Sequence, residues 1–287
     1  MHTHDDIDWS ARLSVMRRGD LLRAGALRDT ARRLSTGLPE DARVLDIGCG
    51  TGGMGIALAE LLGERGGGTV VLVDAVPELL DEAGTAVRAV AGEVVRVHTV
   101  LADLAGDELV ELLDPAHLVW ASRVLHHLPD QQAGLNRLTR TVRTGGTLAI
   151  SEGGLQTSCL PWDIGVGEPG LEERLHAARE EWFRGMRAGM PDAVRMPYGW
   201  PVALAEAGLT AVSSFSYLVD HPAPASHEAR EHAIERVGWL AEVGEEWLSE
   251  QDRQVVRRLL DPADDAYLGA RDDLFLLYAD TIHCGRK

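Results

Sequence analysis

Two adjacent histidines, His126-His127, are the side chains in this sequence best suited to moving a proton. An ordinary imidazole titrates near about 6.5, close to working pH. Glu152 reads either as a second candidate base or as an ordinary surface acid, and Arg123 either holds a carboxylate or phosphate on a substrate through its forked donors or simply pairs with a surface acid. The other chemical signal is a glycine turn, Val44-Leu45-Asp46-Ile47-Gly48-Cys49-Gly50-Thr51-Gly52-Gly53. Glycines let a chain turn sharply from strand to helix and approach a ligand without a Cβ clash. Gly48, Gly50 and Gly53 satisfy the G-x-G-x-x-G spacing of dinucleotide sites. Asp46 speaks against that reading and against a nicotinamide-linked oxidoreductase. Two residues before the first glycine, its carboxylate would repel a pyrophosphate. A cationic ligand removes the objection.

The turn resembles the first motif of the class I S-adenosylmethionine (SAM)-dependent methyltransferases, read here as Leu45-Asp46-Ile47-Gly48-Cys49-Gly50-Thr51-Gly52. SAM carries a sulfonium and an ammonium and no phosphate. Further features fall in the family's order. Asp74 ends a second strand, 24 residues after Gly50, where an acid accepts both ribose hydroxyls. Asp103, in Leu101-Ala102-Asp103-Leu104, stands where the family receives the adenine amino group, with the next residue against the ring. Trp120-Ala121-Ser122-Arg123-Val124-Leu125-His126-His127-Leu128 resembles the fourth strand and its turn, and Thr144-Gly145-Gly146-Thr147-Leu148 the entry to the fifth. The resemblance covers residues 42–152, and more loosely Leu209–Val219 and Leu274–His283. It implies a SAM site of Asp46, Gly48, Cys49, Gly50, Asp74, Ala75, Asp103, Leu104, Ala121 and Ser122. The Cys49 side chain itself reads as packing. No Asn/Asp-Pro-Pro-Tyr/Phe signature of base methylation stands at strand four, where the chain has Ala121-Ser122-Arg123-Val124. No acids are spaced for a divalent metal, and none is expected.

Methyl transfer from a sulfonium is an in-line displacement, so the protein must align a nucleophile and, where needed, take its proton. In related small-molecule enzymes the second histidine position can be the base, which points to His127; both histidines also suit a packing role at a helix start. Trp162, Trp182, Tyr198 and Trp200, with Phe183 and Met186, are expected to line an apolar acceptor pocket. For Trp182 the competing reading is packing along the face Leu171, Leu175, Ala178, Trp182 and Met186. The expected function is methylation of an oxygen or nitrogen of a small molecule, a specialised natural product. Carbon methylation, a protein or nucleic-acid acceptor, and a SAM-fold partner without chemistry are the alternatives.

These groups need a scaffold of alternating strands and helices. Apolar runs at residues 43–47, 69–74, 94–101, 117–122 and 147–151 read as strands, with helices between them. That alternation predicts an α/β, doubly wound, Rossmann-like sheet. Leu209–Val219 and Leu274–His283 read as two further strands, making seven, with helical insertions after strands five and six, and the resemblance implies that the last strand is antiparallel. The expected organisation is an N-terminal helical lid over residues 1–41, a SAM-binding core over 42–152, and a helical substrate cap over 153–208. Residues 209–287 complete the sheet around a helical insertion at 221–272. Residues 9–36 carry Leu13, Met16, Leu21, Leu27, Ala31 and Leu34 at helical spacing. Seven arginines and two aspartates between Ser10 and Thr36 make this helix basic, either as a solvated face or as a lid.

The chain as a whole is acidic, with a formal net charge of −17 over 287 residues. A nucleic-acid binder needs a basic footprint, so nucleic acid and anionic membrane surfaces are not the expected partners. No apolar run approaches the roughly 18 residues of a membrane span. The polar start Met1-His2-Thr3-His4-Asp5-Asp6 does not read as a signal peptide, and a cytoplasmic location is expected. Cys49, Cys159 and Cys284 have neither metal spacing nor an even-numbered framework, so reduced thiols are expected. The second insertion holds eleven acids and five arginines between residues 221 and 265, a solvated surface or a homodimer contact.

Overall fold

The computed structural model describes residues 9–106 and 108–287, with side chains from residue 12 onward. Met1–Asp6, which entered the sequence reading, lie outside the described residues, as does Asp107. Helix α1 (Trp9–Leu34) precedes the alternation β1 (Ala42–Ile47), α2 (Gly53–Glu64), β2 (Gly68–Asp74), α3 (Pro77–Ala91), β3 (Val95–Leu101), α4 (Leu109–Leu112), β4 (Ala116–Ser122), α5 (Gln131–Thr141) and β5 (Val142–Ser158). Then come α6 (Leu171–Ala188), α7 (Trp200–Glu206), β6 (Thr210–His221), α8 (His227–Gly244), α9 (Glu250–Leu260) and β7 (Leu276–Arg286).

The seven strands form one sheet in the order β3-β2-β1-β4-β5-β7-β6. The ladders joining β3, β2, β1, β4 and β5 are parallel. β7 runs antiparallel to both neighbours. Lys287 N–H donates to Gly146 O while Phe275 N–H donates to Cys159 O, so one strand ascends as β5 descends. Against β6, Ser214 meets His283 and Ser216 meets Thr281 in the same opposed sense. The doubly wound sheet with an antiparallel last strand is therefore as expected.

Alternation along each central strand sends side chains to two apolar layers, as a sheet covered on both faces requires. Val44, Val70, Leu72, Leu118 and Trp120 join α1, α2 and α3 on one face. Leu45, Val71, Val73, Val119 and Ala121 join α4, α5 and α7 on the other. Strand order reverses at the neighbours β1 and β4, and such a switch point opens a crevice at the carboxyl ends of the strands. The register sets those ends level: Ile47 pairs with Val73 and with Ala121, and Ser122 pairs with Ser151.

The chain divides into two compact units. The larger holds the described residues up to Gly154, Asp192–Tyr217 and Asp280–Lys287. The smaller holds Leu155–Pro191 and Leu218–Ala279, so parts of both insertions fold together. Within it α6 packs on α8, and Leu171, Leu175 and Ala178 of α6 and Ala233, Val237 and Leu240 of α8 are buried. Two local expectations shift, and two further details emerge. β5 continues to Ser158, past the expected end at Ser151. Leu21 of α1 is 63% exposed, because the buried stripe of that helix starts at Leu27. Ile234 is only half-buried, Ala233 and Val237 taking the inner face of α8. Arg174, on α6, is held by Asp252 at 2.8 Å, an ion pair the sequence did not suggest.

Candidate active site

The glycine turn closes β1 and opens α2. Gly48 N–H and Cys49 N–H both donate to Val73 O, at 2.8 and 3.0 Å, tying the turn to the end of β2. Gly48 sits at φ +66°, and a Cβ there would stand 2.3 Å from Val124 Cγ2. No other residue fits without moving the β4 turn. The Asp74 carboxylate accepts from Gly50 N–H at 2.9 Å and from Val76 N–H at 3.0 Å. It thus fixes both the turn and the loop opening α3.

Gly53 has a different constraint. Its added Cβ would lie 2.5 Å from Asp20 Cγ. Asp20, on α1, accepts from the Thr51 hydroxyl at 2.5 Å and from Gly53 N–H at 3.1 Å, and pairs with Arg23 at 2.7 Å. A carboxylate therefore caps the N-terminus of α2 from a helix far away in sequence. The sequence reading missed Asp20. Its one available signal was an aspartate placed among the seven arginines of that segment.

Asp46 is a strongly perturbed acid of the turn. Burial first, then the charge of Asp20, raises its carboxyl to about 7; the Gly55 amide opposes this and Asp74 adds to it. Its Oδ2 is buried without a hydrogen-bond partner. An unfolded aspartate ionises near 3.8. Between these two values the unfolded chain has released the proton and the folded chain keeps it. Stability therefore falls as pH rises through that window, with a slope of about 1.4 kcal/mol for each pH step of one. Asp46→Asn retains the shape and should flatten this decline. Urea melts at about pH 4.5 and about pH 7.5 would check it, and an unchanged decline would contradict the assignment.

The remaining expected cofactor residues are placed as follows. Cys49 is buried, and desolvation with the nearby Asp46 and Asp74 charges pushes its thiol far up, leaving an inert packing group. Ala75 is exposed at the end of β2. Asp103 is exposed, and its Oδ1 accepts from Ala105 N–H at 2.8 Å. Leu104 is buried in the second apolar layer, among α4 and α5 side chains. Ala121 is buried and Ser122 half-buried, where β4 ends beside β1.

At the neighbouring strand ends the candidate acid–base groups form one linked set. Glu152 is 3% exposed. Its Oε2 lies 2.7 Å from His126 Nδ1, and its Oε1 accepts from Leu125 N–H at 2.8 Å. A carboxylate only accepts, so it is the His126 Nδ1 hydrogen that meets Glu152. The His127 ring lies 4.1 Å from that of His126, centroid to centroid. The 2.7 Å contact to the carboxylate is made by His126. His283 Nε2 lies 3.3 Å from the Glu152 main-chain oxygen, a contact the sequence did not reveal. Arg123 adopts φ +57° just past β4 and pairs with Asp280 at 2.6 Å. Asp280 is 5% exposed in its side chain, and its other oxygen accepts from the Tyr217 hydroxyl at 2.6 Å.

Of the expected acceptor-lining aromatics, Trp200 is half-buried against the second apolar layer. Tyr198 is exposed and its hydroxyl donates to Gln132 Oε1 at 3.2 Å. Trp162 and Trp182 belong to the smaller unit. There Trp182 meets Trp239 edge to face at 6.1 Å, a packing contact between α6 and α8, and Trp162 is exposed. Among the described residues, no group of three or more His, Cys, Asp or Glu is placed to hold a metal ion.

A parallel sheet with a glycine turn at its switch point defines a nucleotide-type fold, and comparison with known proteins narrows it. Residues 45–148 match the family model of the methyltransferase domain. Over 114 residues the chain is 34% identical to the biotin biosynthesis bifunctional protein BioCD of Bordetella avium (strain 197N), covering 40% of this chain and 22% of that protein. The chain thus spans about a fifth of the curated relative's length. A provisionally assigned methyltransferase from Bacillus halodurans C-125 superposes with a TM-score of 0.51 at 16% identity, covering 91% of this chain and 98% of that one, a likeness of fold. The family match thus places a methyltransferase domain at residues 45–148, within the sheet that carries the glycine turn.

Proposed function

We propose that the chain transfers the methyl group of SAM to an oxygen or nitrogen atom of a small molecule, a specialised metabolite, in the cytoplasm. One observation carries this reading. The strand register brings an acidic glycine turn level with a carboxylate–imidazole pair, buried Glu152 and half-buried His126, at adjoining strand ends. The turn fits a cationic cofactor. Asp20, Asp46 and Asp74 all border it, and Asp46 Oδ2 is a buried acceptor with no partner. Asp74 would hold the ribose hydroxyls, and Asp46 would favour positive charge at the turn. When bound, SAM supplies an electrophilic methyl that needs no further activation.

The residues of this chain do the rest. His126 Nε2 takes the proton from the acceptor hydroxyl or amine as the nucleophile engages the methyl. Glu152 holds the ring in the correct tautomer and stabilises the imidazolium that results. Arg123, kept in place by Asp280 and Tyr217, binds an anionic group on the acceptor. No helix of the described residues is long and apolar enough to cross a membrane. The three cysteines are buried free thiols, in line with a reducing compartment.

The test is turnover. The folded protein, given SAM and a panel of small phenols, carboxylic acids and amines, should release S-adenosylhomocysteine only when a suitable acceptor is present. Protein that binds SAM and yet releases none with any acceptor would favour a non-catalytic SAM-fold partner instead.

A further inference from the structure

A groove of about 220 Å³ lies at the other end of the strands from the glycine turn, lined by the end of α1 and by β5, β6 and β7. Its charged lining is Arg33 and Arg286, and no carboxylate contributes to it. That is unusual on a chain of net charge −17. Neither arginine has an ion-pair partner among the described residues. Arg33 is held over the Phe215 ring, its Cζ 3.8 Å from the centroid. That contact orients the guanidinium and leaves its edge for a ligand. Arg286 is anchored only loosely, 3.5 Å from Gly145 O. Thr36, Thr147 and Ser213 add hydroxyls to the same lining. Thr147 is five residues before Glu152 on β5, about 16 Å along an extended strand, so the groove is separate from the catalytic rim.

We propose that this groove is a binding site for a compact polyanion, a small molecule bearing phosphate or clustered carboxylate groups. Two guanidiniums from different elements, with three hydroxyls and no competing acid, supply the paired donors that oxyanions require. The volume suits a ligand smaller than the drug-sized occupants of ordinary pockets. The ring face of Phe215 is already covered by Arg33, so the recognised group is the anion rather than an aromatic body.

Calorimetry with inorganic pyrophosphate and with citrate tests this on the whole chain. Saturable binding is expected below about 1 mM for at least one of them, weakened at least tenfold in Arg286→Gln with SAM binding unchanged. Tighter pyrophosphate assigns a phosphate ligand, and tighter citrate a carboxylate one. Arg33→Gln should weaken the same binding. Because Arg33 also packs on Phe215, its melt by circular dichroism must match the parent before the result is read. No saturable binding of either anion, or equal affinity in Arg286→Gln, would overturn the proposal. The outcome is independent of the methyl-transfer reading, since neither probe resembles SAM or an acceptor.

Discussion

Asp74→Ala should weaken SAM binding at least a hundredfold, measured by calorimetry on folded protein. Two losses combine. A carboxylate accepting two ribose hydroxyls makes charge-assisted hydrogen bonds worth roughly 1.5–3 kcal/mol each. The same carboxylate already receives Gly50 N–H and Val76 N–H, at 2.9 and 3.0 Å, so its removal orphans two backbone donors and loosens the turn. About 2.8 kcal/mol corresponds to the hundredfold loss. Asp74→Asn separates the contributions. Its remaining carbonyl oxygen can keep one backbone bond while the charge is lost, so an intermediate affinity is expected. Affinity within threefold of the parent in Asp74→Ala would remove Asp74 from the cofactor site.

His126→Ala should lower kcat by about 10² to 10⁴, the usual contribution of a general base, with SAM affinity little changed. Glu152→Gln should produce a smaller fall, on the order of 10-fold or more, because a neutral partner stabilises the imidazolium less. It retains an amide oxygen for Leu125 N–H, so the fold of the turn survives. His127→Ala is the control: its ring lies 4.1 Å from that of His126, while the 2.7 Å contact to Glu152 is made by His126. Steady-state kinetics on the three variants would check the ranking. A larger kcat loss in His127→Ala than in His126→Ala would move the base to the second histidine.

The sheet and its glycine turn were legible because their signals are local. Apolar strands of period two, Asp46 before the first glycine and Asp74 at a strand end all fall within short windows. Pairings between distant elements were not legible. Asp20 reaches the turn from α1, 33 residues before Gly53, and nothing in its neighbours marks it as a cap for α2. Asp280 and Tyr217 meet Arg123 only because β7 returns between β5 and β6. The sequence offered His126, His127 and Glu152 as separate candidates, and the Ser122–Ser151 register is what joins His126 to Glu152. Trp182 carried two readings at equal spacing, and the edge-to-face contact with Trp239 places it in the packing of α6 on α8.

The central claim is that the acidic glycine turn holds SAM, and direct calorimetry on the unmodified chain tests it. Saturable SAM binding with no detectable binding of NADH is the expected result. Folded protein that leaves SAM unbound while taking up NADH would contradict the account at its root.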